Sequence, residues 1–213
     1  MARADVFVFL DDAQYSKNSY INRVQIDAHG LPRWLTVPVN YQFGDPINRV
    51  RVANAVWHQS HRDVLRTFYA QAPAYREVSD FLFPAFERLP DGDIAAANQI
   101  LIETLAGALK LRCRCLRSSE VVVGDAAGDD RLIAILRAVG PNVTYLSGMG
   151  GANYQDPEKF ARAEISLNYN DFTHPRYDQG HENFLPGLSV LDALFRLGFE
   201  RTAALVSPVI AAA

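Results

Sequence analysis

The stretch from residue 143 to residue 170, VTYLSGMGGANYQDPEKFARAEISLNYN, contains a strand, a helix and a second strand in succession. A β-branched and aromatic run, VTYLSG, predicts a strand that ends in a glycine-rich turn. PEKFARA then predicts a short helix, and ISLNYN predicts the second strand. Because parallel neighbours in a sheet are joined by a crossover connection, usually a helix, this stretch predicts an α/β fold with parallel strands.

The remainder of the chain adds helices and strands on both sides of that stretch. Downstream, SVLDALFRLG predicts a last helix with Ser189 as its cap and Asp192 in its first turn. Upstream, DDRLIAILRAVG predicts one helix, and DGDIAAANQILIETLAGALKL predicts another that Asp93 caps. Two more helices are predicted at 56–72 and 75–89, the latter with a break or kink at Pro84. Further strands are predicted at 5–10, 33–39, 48–54, 112–118 and 120–124.

The length and the order of these elements predict one domain. A chain of 213 residues falls within the usual size range of a single core. We therefore predict an α/β fold, with one domain over residues 1–213. It would have a mostly parallel or mixed sheet flanked by helices, and a helical middle section.

The composition is that of an ordinary globular protein without a basic surplus. Apolar residues make up 49% and charged residues 21% of the chain, which argues against disorder and against a fibrous class. Lys and Arg (21) against Asp and Glu (24) give a net charge of −3, so the protein has no overall field that would hold nucleic acid or an anionic membrane. The longest apolar runs fall short of the roughly 20 residues that span a bilayer. We expect a cytoplasmic protein whose partner is a small-molecule substrate.

Three polar segments occupy positions where an α/β fold places its ligands, beyond the carboxyl ends of strands. They are DDAQYSKNSYINR (11–23), SGMGGANYQD (147–156) and HPRYDQGHENFLPGLS (174–189). In the first, Asp11, Asp12 and Lys17 are predicted to be catalytic, with a carboxylate as base. The predicted substrate-binding residues come from all three segments: Gln14, Asn22, Arg23, Gly148, Tyr154, Tyr177 and Gln179. The alternatives are a solvated strand end with a surface ion pair, and a glycine turn that is purely structural.

The histidines do not form a recognisable metal signature. One polar loop holds two histidines seven residues apart with carboxylates nearby (His174, Asp178, His181 and Glu182), but this spacing matches no known zinc pattern. His58 and His61, three residues apart on a predicted helix, are interpreted as a partly exposed helix face. We predict no metal and no cofactor.

Four segments together resemble the WbqC-like protein family. They are ADVFVFLDDAQYSKNSYINRVQI, WLTVPV, YLSGMGGANYQDPEKF and YDQGHENFLPGLSVLDALFRLG, and they extend over nearly the whole chain. Members of that family usually begin with an extra strand and an HQP-x-YLPW-type loop, and the sequence here starts after the position of that loop. The resemblance therefore implies a WbqC-like domain in which this motif is absent.

The resemblance also implies a function. WbqC-like proteins occur among genes for O-antigen and related surface polysaccharides, and one branch is associated with glycine transfer. It implies a transferase that adds a small acyl or aminoacyl group, such as glycyl, to a nucleotide-linked amino sugar, with Lys17 and Arg23 holding phosphate or carboxylate. Two alternatives stay open: a nucleotide-dependent activating enzyme, and a non-catalytic binding protein of the same pathway.

Overall fold

The computed structural model describes residues 1–207. Its strands are β1 (Val6–Phe9), β2 (Arg23–Asp27), β3 (Pro32–Thr36), β4 (Val39–Asn40), β5 (Arg51–Val52), β6 (Arg114–Arg117), β7 (Thr144–Gly148) and β8 (Ser166–Asn170). Its helices are α1 (Trp57–Tyr69), α2 (Tyr75–Glu87), α3 (Ile94–Ala108), α4 (Gly128–Val139), α5 (Pro157–Arg162) and α6 (Val190–Val206). The α/β class predicted from the sequence is confirmed, with four two-stranded sheets among the described residues, two parallel and two antiparallel.

The described chain divides into two compact units, which we call the helical unit and the βαβ unit. Among the described residues, the helical unit consists of residues 1–3, 11–112 and 174–207. The βαβ unit consists of residues 4–10 and 113–173. One domain over residues 1–213 stays a prediction.

The βαβ unit contains the strand, helix and strand pattern predicted from residues 143–170. β7 and β8 pair in parallel, with Thr144 opposite Ser166 and Gly148 opposite Asn170. α5 connects them and buries Phe160 completely against the side chains of Ile133 and Ile165. The second parallel pair joins β1 to β6. Burial of one apolar face of α4 and α5 is therefore what fixes this unit.

The helical unit is built around one antiparallel hairpin, β2 with β3. Ile26 projects from β2 into a core whose largest fully buried members include Leu65, Tyr69 and Phe195. Tyr69 and Phe195 stack with ring centroids 4.7 Å apart, an arrangement that adds to the area they bury. This packing places the last turn of α1 and the first turns of α6 beside β2.

The predicted helix caps are confirmed. The Asp93 carboxylate accepts a hydrogen bond from the Ala96 amide at the start of α3, and Ser189 accepts one from Leu191 at the start of α6. Each satisfies a backbone donor that the helix itself cannot. α6 departs from helical geometry at Gly198, whose φ is +77°.

Three element predictions were wrong. EVVVG forms no strand, because it finds no strand partner and Val122 stays 96% exposed. The predicted strand over 48–54 shortens to β5, preceded by a single 3-10 turn at Ile47–Arg49. α2 does not break at Pro84, since burial of Leu82, Ala85 and Phe86 on either side outweighs the one hydrogen bond that proline removes, and a kink at this residue stays a prediction. No helix within residues 1–207 combines the length and apolar character needed to cross a membrane.

Candidate functional site

The first predicted segment, residues 11–23, is a loop held to the chain around residues 45–48. The Asn48 amide donates to the Asp11 carbonyl, and the Tyr15 amide donates to the Asp45 carbonyl. Asp11 is buried and Asp12 is half-buried, whereas Gln14 and Lys17 are exposed. Backbone hydrogen bonds therefore fix the loop, and its long polar side chains extend into solvent.

Asn22 and Arg23 end this loop and begin β2. The Asn22 amide group donates to the Val37 carbonyl at 2.9 Å and accepts from the Tyr15 hydroxyl at 2.9 Å. The Arg23 guanidinium lies 4.0 Å from the centre of the Trp34 ring and donates to the Asn18 carbonyl. Asn22 thus has a structural role, while Arg23 is held by a neutral carbonyl and an aromatic face.

The glycine-rich turn lies in the βαβ unit and is closed by its own side chains. Gly148 and Tyr154 are exposed. A side chain at position 151 would meet Ser147 Oγ and Gln155 Oε1 inside van der Waals contact, so both side chains would have to move to admit a residue larger than glycine. The structural alternative given for this turn therefore has a physical basis, and the substrate-binding role of Gly148 and Tyr154 stays a prediction.

The third segment carries Tyr177 and Gln179, which turn inward. Gln179 is 2% exposed, and its side chain donates to the Leu185 carbonyl at 2.9 Å and accepts from the Leu185 amide at 2.8 Å. These two hydrogen bonds close a short loop in the way that a pair of backbone hydrogen bonds would. The Tyr177 hydroxyl donates to Asp192 Oδ2 at 2.7 Å.

Asp192 is the first of two fully buried carboxylates in the helical unit. Its Oδ1 accepts from the Tyr69 hydroxyl at 2.8 Å, so that two phenols share one carboxylate. Burial raises the pKa of Asp192, although the two phenol hydrogen bonds work in the opposite direction. Burial likewise raises the pKa values of Tyr69 and Tyr177, which keeps both hydroxyls protonated as donors.

Asp27 is the second buried carboxylate and is the last residue of β2. Its Oδ2 lies 3.1 Å from His181 Nε2 and 3.0 Å from an Arg196 guanidinium nitrogen, and its Oδ1 accepts from the Gly30 amide at 2.7 Å. The Asp27 amide donates to the Tyr69 hydroxyl oxygen at 3.0 Å. Tyr69 therefore connects the Asp192 carboxylate to the main chain of Asp27. We call the connected set the Asp27–Asp192 cluster: Asp27, Tyr69, Tyr177, His181, Asp192 and Arg196.

The cluster brings together a carboxylate, an imidazole and a guanidinium. In a neutral His181 whose Nε2 donates to Asp27, Nδ1 carries the lone pair, and this atom is buried without a hydrogen-bond partner among the described residues. A carboxylate that fixes a histidine in this way is the arrangement used for general-base catalysis. The same contacts also tie the loop at 174–189 to β2 and α6.

No group of His, Cys, Asp and Glu within residues 1–207 is arranged to hold a metal ion.

The sequence reasoning missed most of this cluster. Asp192 was assigned only to the first turn of α6, and His181 only to a weak metal pattern, while Asp27, Tyr69 and Arg196 were not singled out. One signal was present: Asp192 and Arg196 are four residues apart, hence on one face of a helical segment, residues 190–197, whose other residues are apolar. Two charges on such a face indicate buried partners elsewhere in the fold.

The interpretation of His58 and His61 as a partly exposed face was wrong for His61. It is buried, contacts the Trp57 ring with centroids 4.8 Å apart, and its Nε2 lies 3.0 Å from the Thr36 carbonyl oxygen. Burial lowers its pKa, which favours the neutral ring. The helix face was identified correctly, but it packs on β3.

Comparisons with known proteins give one family and one curated relative. Residues 1–204 match the WbqC-like protein family. The uncharacterized protein Rv1507c of Mycobacterium tuberculosis is 28% identical over 203 residues, which is 94% of this chain and 87% of that protein. No solved structure matches the chain. The family match extends across both compact units.

Proposed function

The chain belongs to the WbqC-like protein family, and on that premise we propose that it is a transferase of surface-polysaccharide biosynthesis. It would move a small acyl or aminoacyl group, such as glycyl, onto the amino group of a nucleotide-linked amino sugar. The pathway and the type of reaction come from the family resemblance. The identity of the base comes from the geometry of the Asp27–Asp192 cluster.

The observation that carries the proposal is the contact between His181 Nε2 and Asp27 Oδ2 at 3.1 Å. Asp27 is fully buried and also accepts hydrogen bonds from Arg196 and Gly30, so its position is fixed. A fixed carboxylate holds the imidazole in one orientation and stabilises the imidazolium that forms when the ring takes a proton. His181 is therefore oriented as a general base is, and because its Nδ1 is buried, the acceptor amine reaches that atom only when the groups that cover it move.

The reaction proposed from the family resemblance is an ordinary acyl transfer. The amine nitrogen of the acceptor attacks the carbonyl carbon of the activated acyl group, and His181 Nδ1 takes the proton that the nitrogen releases. The bond to the leaving group then breaks, and the electron pair leaves with that group. Lys17 and Arg23 keep their proposed role of holding phosphate or carboxylate, because Lys17 is exposed and the contacts of Arg23 with Asn18 and Trp34 are with neutral groups.

The test is a transfer assay on the purified protein. The chain is incubated with nucleotide-linked amino sugars and activated glycine, and mass spectrometry detects the glycyl product. We expect His181→Gln to lower the transfer rate by about 10²–10⁴-fold, the usual contribution of a general base. His58→Gln is the matched control, since His58 lies on α1 outside the cluster, and it should retain the full rate.

Two results would contradict the proposal. Absence of product with every donor would remove the glycyl assignment. Full activity in His181→Gln, together with loss of activity in Asp11→Asn or Asp12→Asn, would transfer the role of base to the N-terminal loop.

A further inference from the structure

The outer face of the β2–β3 hairpin, opposite to the core, carries Asp27 and an exposed tryptophan. Side chains alternate between the two faces of a strand, so Arg23 and Asp27, both in β2, project from the same face. Trp34 belongs to that face as well, because it lies opposite Gln25 in the register of the hairpin. This register places Trp34 diagonally across from Asp27, at about 7–8 Å.

The two ends of this face differ in exposure. At one end, the Asp27 carboxylate is fully buried and lies 3.1 Å from His181 Nε2. At the other end, Trp34 is 38% exposed and Tyr20 is 65% exposed, with their ring centroids 5.6 Å apart. The proposed base and an exposed pair of aromatic rings therefore share one face of one hairpin.

An exposed aromatic pair of this kind is a stacking surface. Nucleobases stack on tyrosine and tryptophan rings with little dependence on the identity of the base, since every base has a flat π-face. The Arg23 guanidinium lies 4.0 Å from the centre of the Trp34 ring, and its terminal nitrogens donate to Asn18, a neutral residue. These contacts leave the positive charge of Arg23 uncompensated beside the rings, which favours a phosphate there.

A base and a phosphate together make a nucleotide. We propose that Tyr20 and Trp34 form a platform on which the base of the nucleotide-linked acceptor stacks. The diphosphate would lie at Arg23, and the sugar would extend along β2 toward His181. From Arg23 to Asp27 the strand rises by roughly 13 Å, a distance that a diphosphate with an attached sugar ring bridges. The inference rests on the transferase proposal, which supplies a nucleotide-linked acceptor.

The experiment measures binding of uridine diphosphate (UDP) to the full chain in the absence of an acyl donor. Calorimetry gives the affinity, and quenching of tryptophan fluorescence reports stacking, because Trp34 is exposed whereas Trp57, the other tryptophan, is buried. We expect UDP to bind about tenfold or more tightly than pyrophosphate, which has no base to stack.

Two pairs of variants test the location of the base. Tyr20→Ala and Trp34→Leu should each weaken UDP about tenfold and leave pyrophosphate unchanged, whereas Tyr20→Phe and Trp34→Phe, which keep a ring, should retain most of the affinity. Phe43→Ala is the matched control, since Phe43 is 99% exposed in the same unit, and it should bind UDP as the parent does. Thermal melting checks that each variant is folded.

Three results would overturn the inference. They are the absence of UDP binding, equal affinities for UDP and pyrophosphate, and a UDP affinity that neither Tyr20→Ala nor Trp34→Leu changes.

The platform and the transferase proposal fail separately. UDP binding that depends on Tyr20, in a protein that transfers no group, would remove the transferase and support the platform. Conversely, transfer with the same KM for the nucleotide-linked sugar in the parent and in Tyr20→Ala would support the transferase and remove the platform.

Discussion

The loop at residues 11–23 and the Asp27–Asp192 cluster both belong to the helical unit, and each contains two carboxylates and an arginine. In the loop, Lys17 is exposed and Arg23 rests on a tryptophan face. In the cluster, both carboxylates are fully buried and each accepts several hydrogen bonds from side chains or main-chain amides. The density of polar residues in a sequence thus indicates exposure as readily as it indicates a site. Whether polar side chains meet at one site depends on which helices, strands and loops the fold brings together.

Removal of the Asp192 carboxylate should give the largest difference between the two regions. Asp192→Ala leaves the Tyr69 and Tyr177 hydroxyls without their acceptor inside the protein. We expect the free energy of unfolding to fall by about 3 kcal/mol, since each unsatisfied buried group costs about 1–3 kcal/mol. Urea unfolding measures it. Lys17→Ala in the loop is the control, and its free energy of unfolding should stay within about 0.5 kcal/mol of the parent's. Equal losses at the two positions would mean that the buried cluster contributes no more to stability than the exposed loop.

The second prediction concerns the charge of Asp27. Asp27→Asn keeps the shape of the side chain but places an amide nitrogen or an uncharged oxygen against Arg196 and His181. We expect a loss of about 2 kcal/mol, the usual value for hydrogen bonds to a charged partner. Thermal melting and urea unfolding measure the loss. A variant as stable as the parent would mean that the Arg196 and His181 contacts with Asp27 do not hold the loop at 174–189 in place.

The stability of the protein should depend on pH through the buried Asp192 carboxylate. Because the pKa of Asp192 is raised in the folded protein by burial, the folded state holds that proton more tightly than the unfolded state. The free energy of unfolding contributed by Asp192 therefore falls as the pH rises from the ordinary carboxyl pKa, about 4, through the raised value. Asp192→Asn does not titrate, so its stability relative to the parent should increase across that window. A relative stability that increases on acidification would contradict the sign.

The smallest effect is expected at Arg23. Its contacts are a cation–π interaction with Trp34 and hydrogen bonds to Asn18, so Arg23→Ala should lose only about 0.5–1 kcal/mol of folding free energy. The same variant should lose much of any affinity for an anionic ligand, because the guanidinium supplies the charge. Chemical unfolding and a binding titration, run in parallel, separate the two effects. An Arg23→Ala protein that unfolds easily and still binds would assign Arg23 a structural role.

Sequence patterns correctly predicted the helices and strands whose local residue preferences agree with their contacts in the folded protein. β7, α5 and β8 were predicted correctly because alternating strands and a helix with a clear start leave few alternatives. The caps at Asp93 and Ser189 were predicted for the same reason. EVVVG failed because the preference of valine for strands is realised only when a neighbouring strand supplies hydrogen bonds.

The candidate site was also predicted only in part from the sequence. The third segment was identified as a site loop, and His181 and Tyr177 from it do reach buried carboxylates. The partners, Asp27 and Asp192, are separated in the chain from His181 and Tyr177 by 154 and 15 residues, respectively. Pairing over such distances leaves no periodic signal in a single sequence.

The α/β class, the helix starts and the polar loops were predictable from the sequence, because they depend on preferences among residues a few positions apart. The tertiary structure decided which carboxylates became buried and with which donors. It placed the end of β2, the last turn of α1 and the first turns of α6 together, where Tyr69 bonds to both Asp27 and Asp192. The physical reason is that a buried charge is tolerated only where donors surround it, and those donors are supplied by the packing of distant elements.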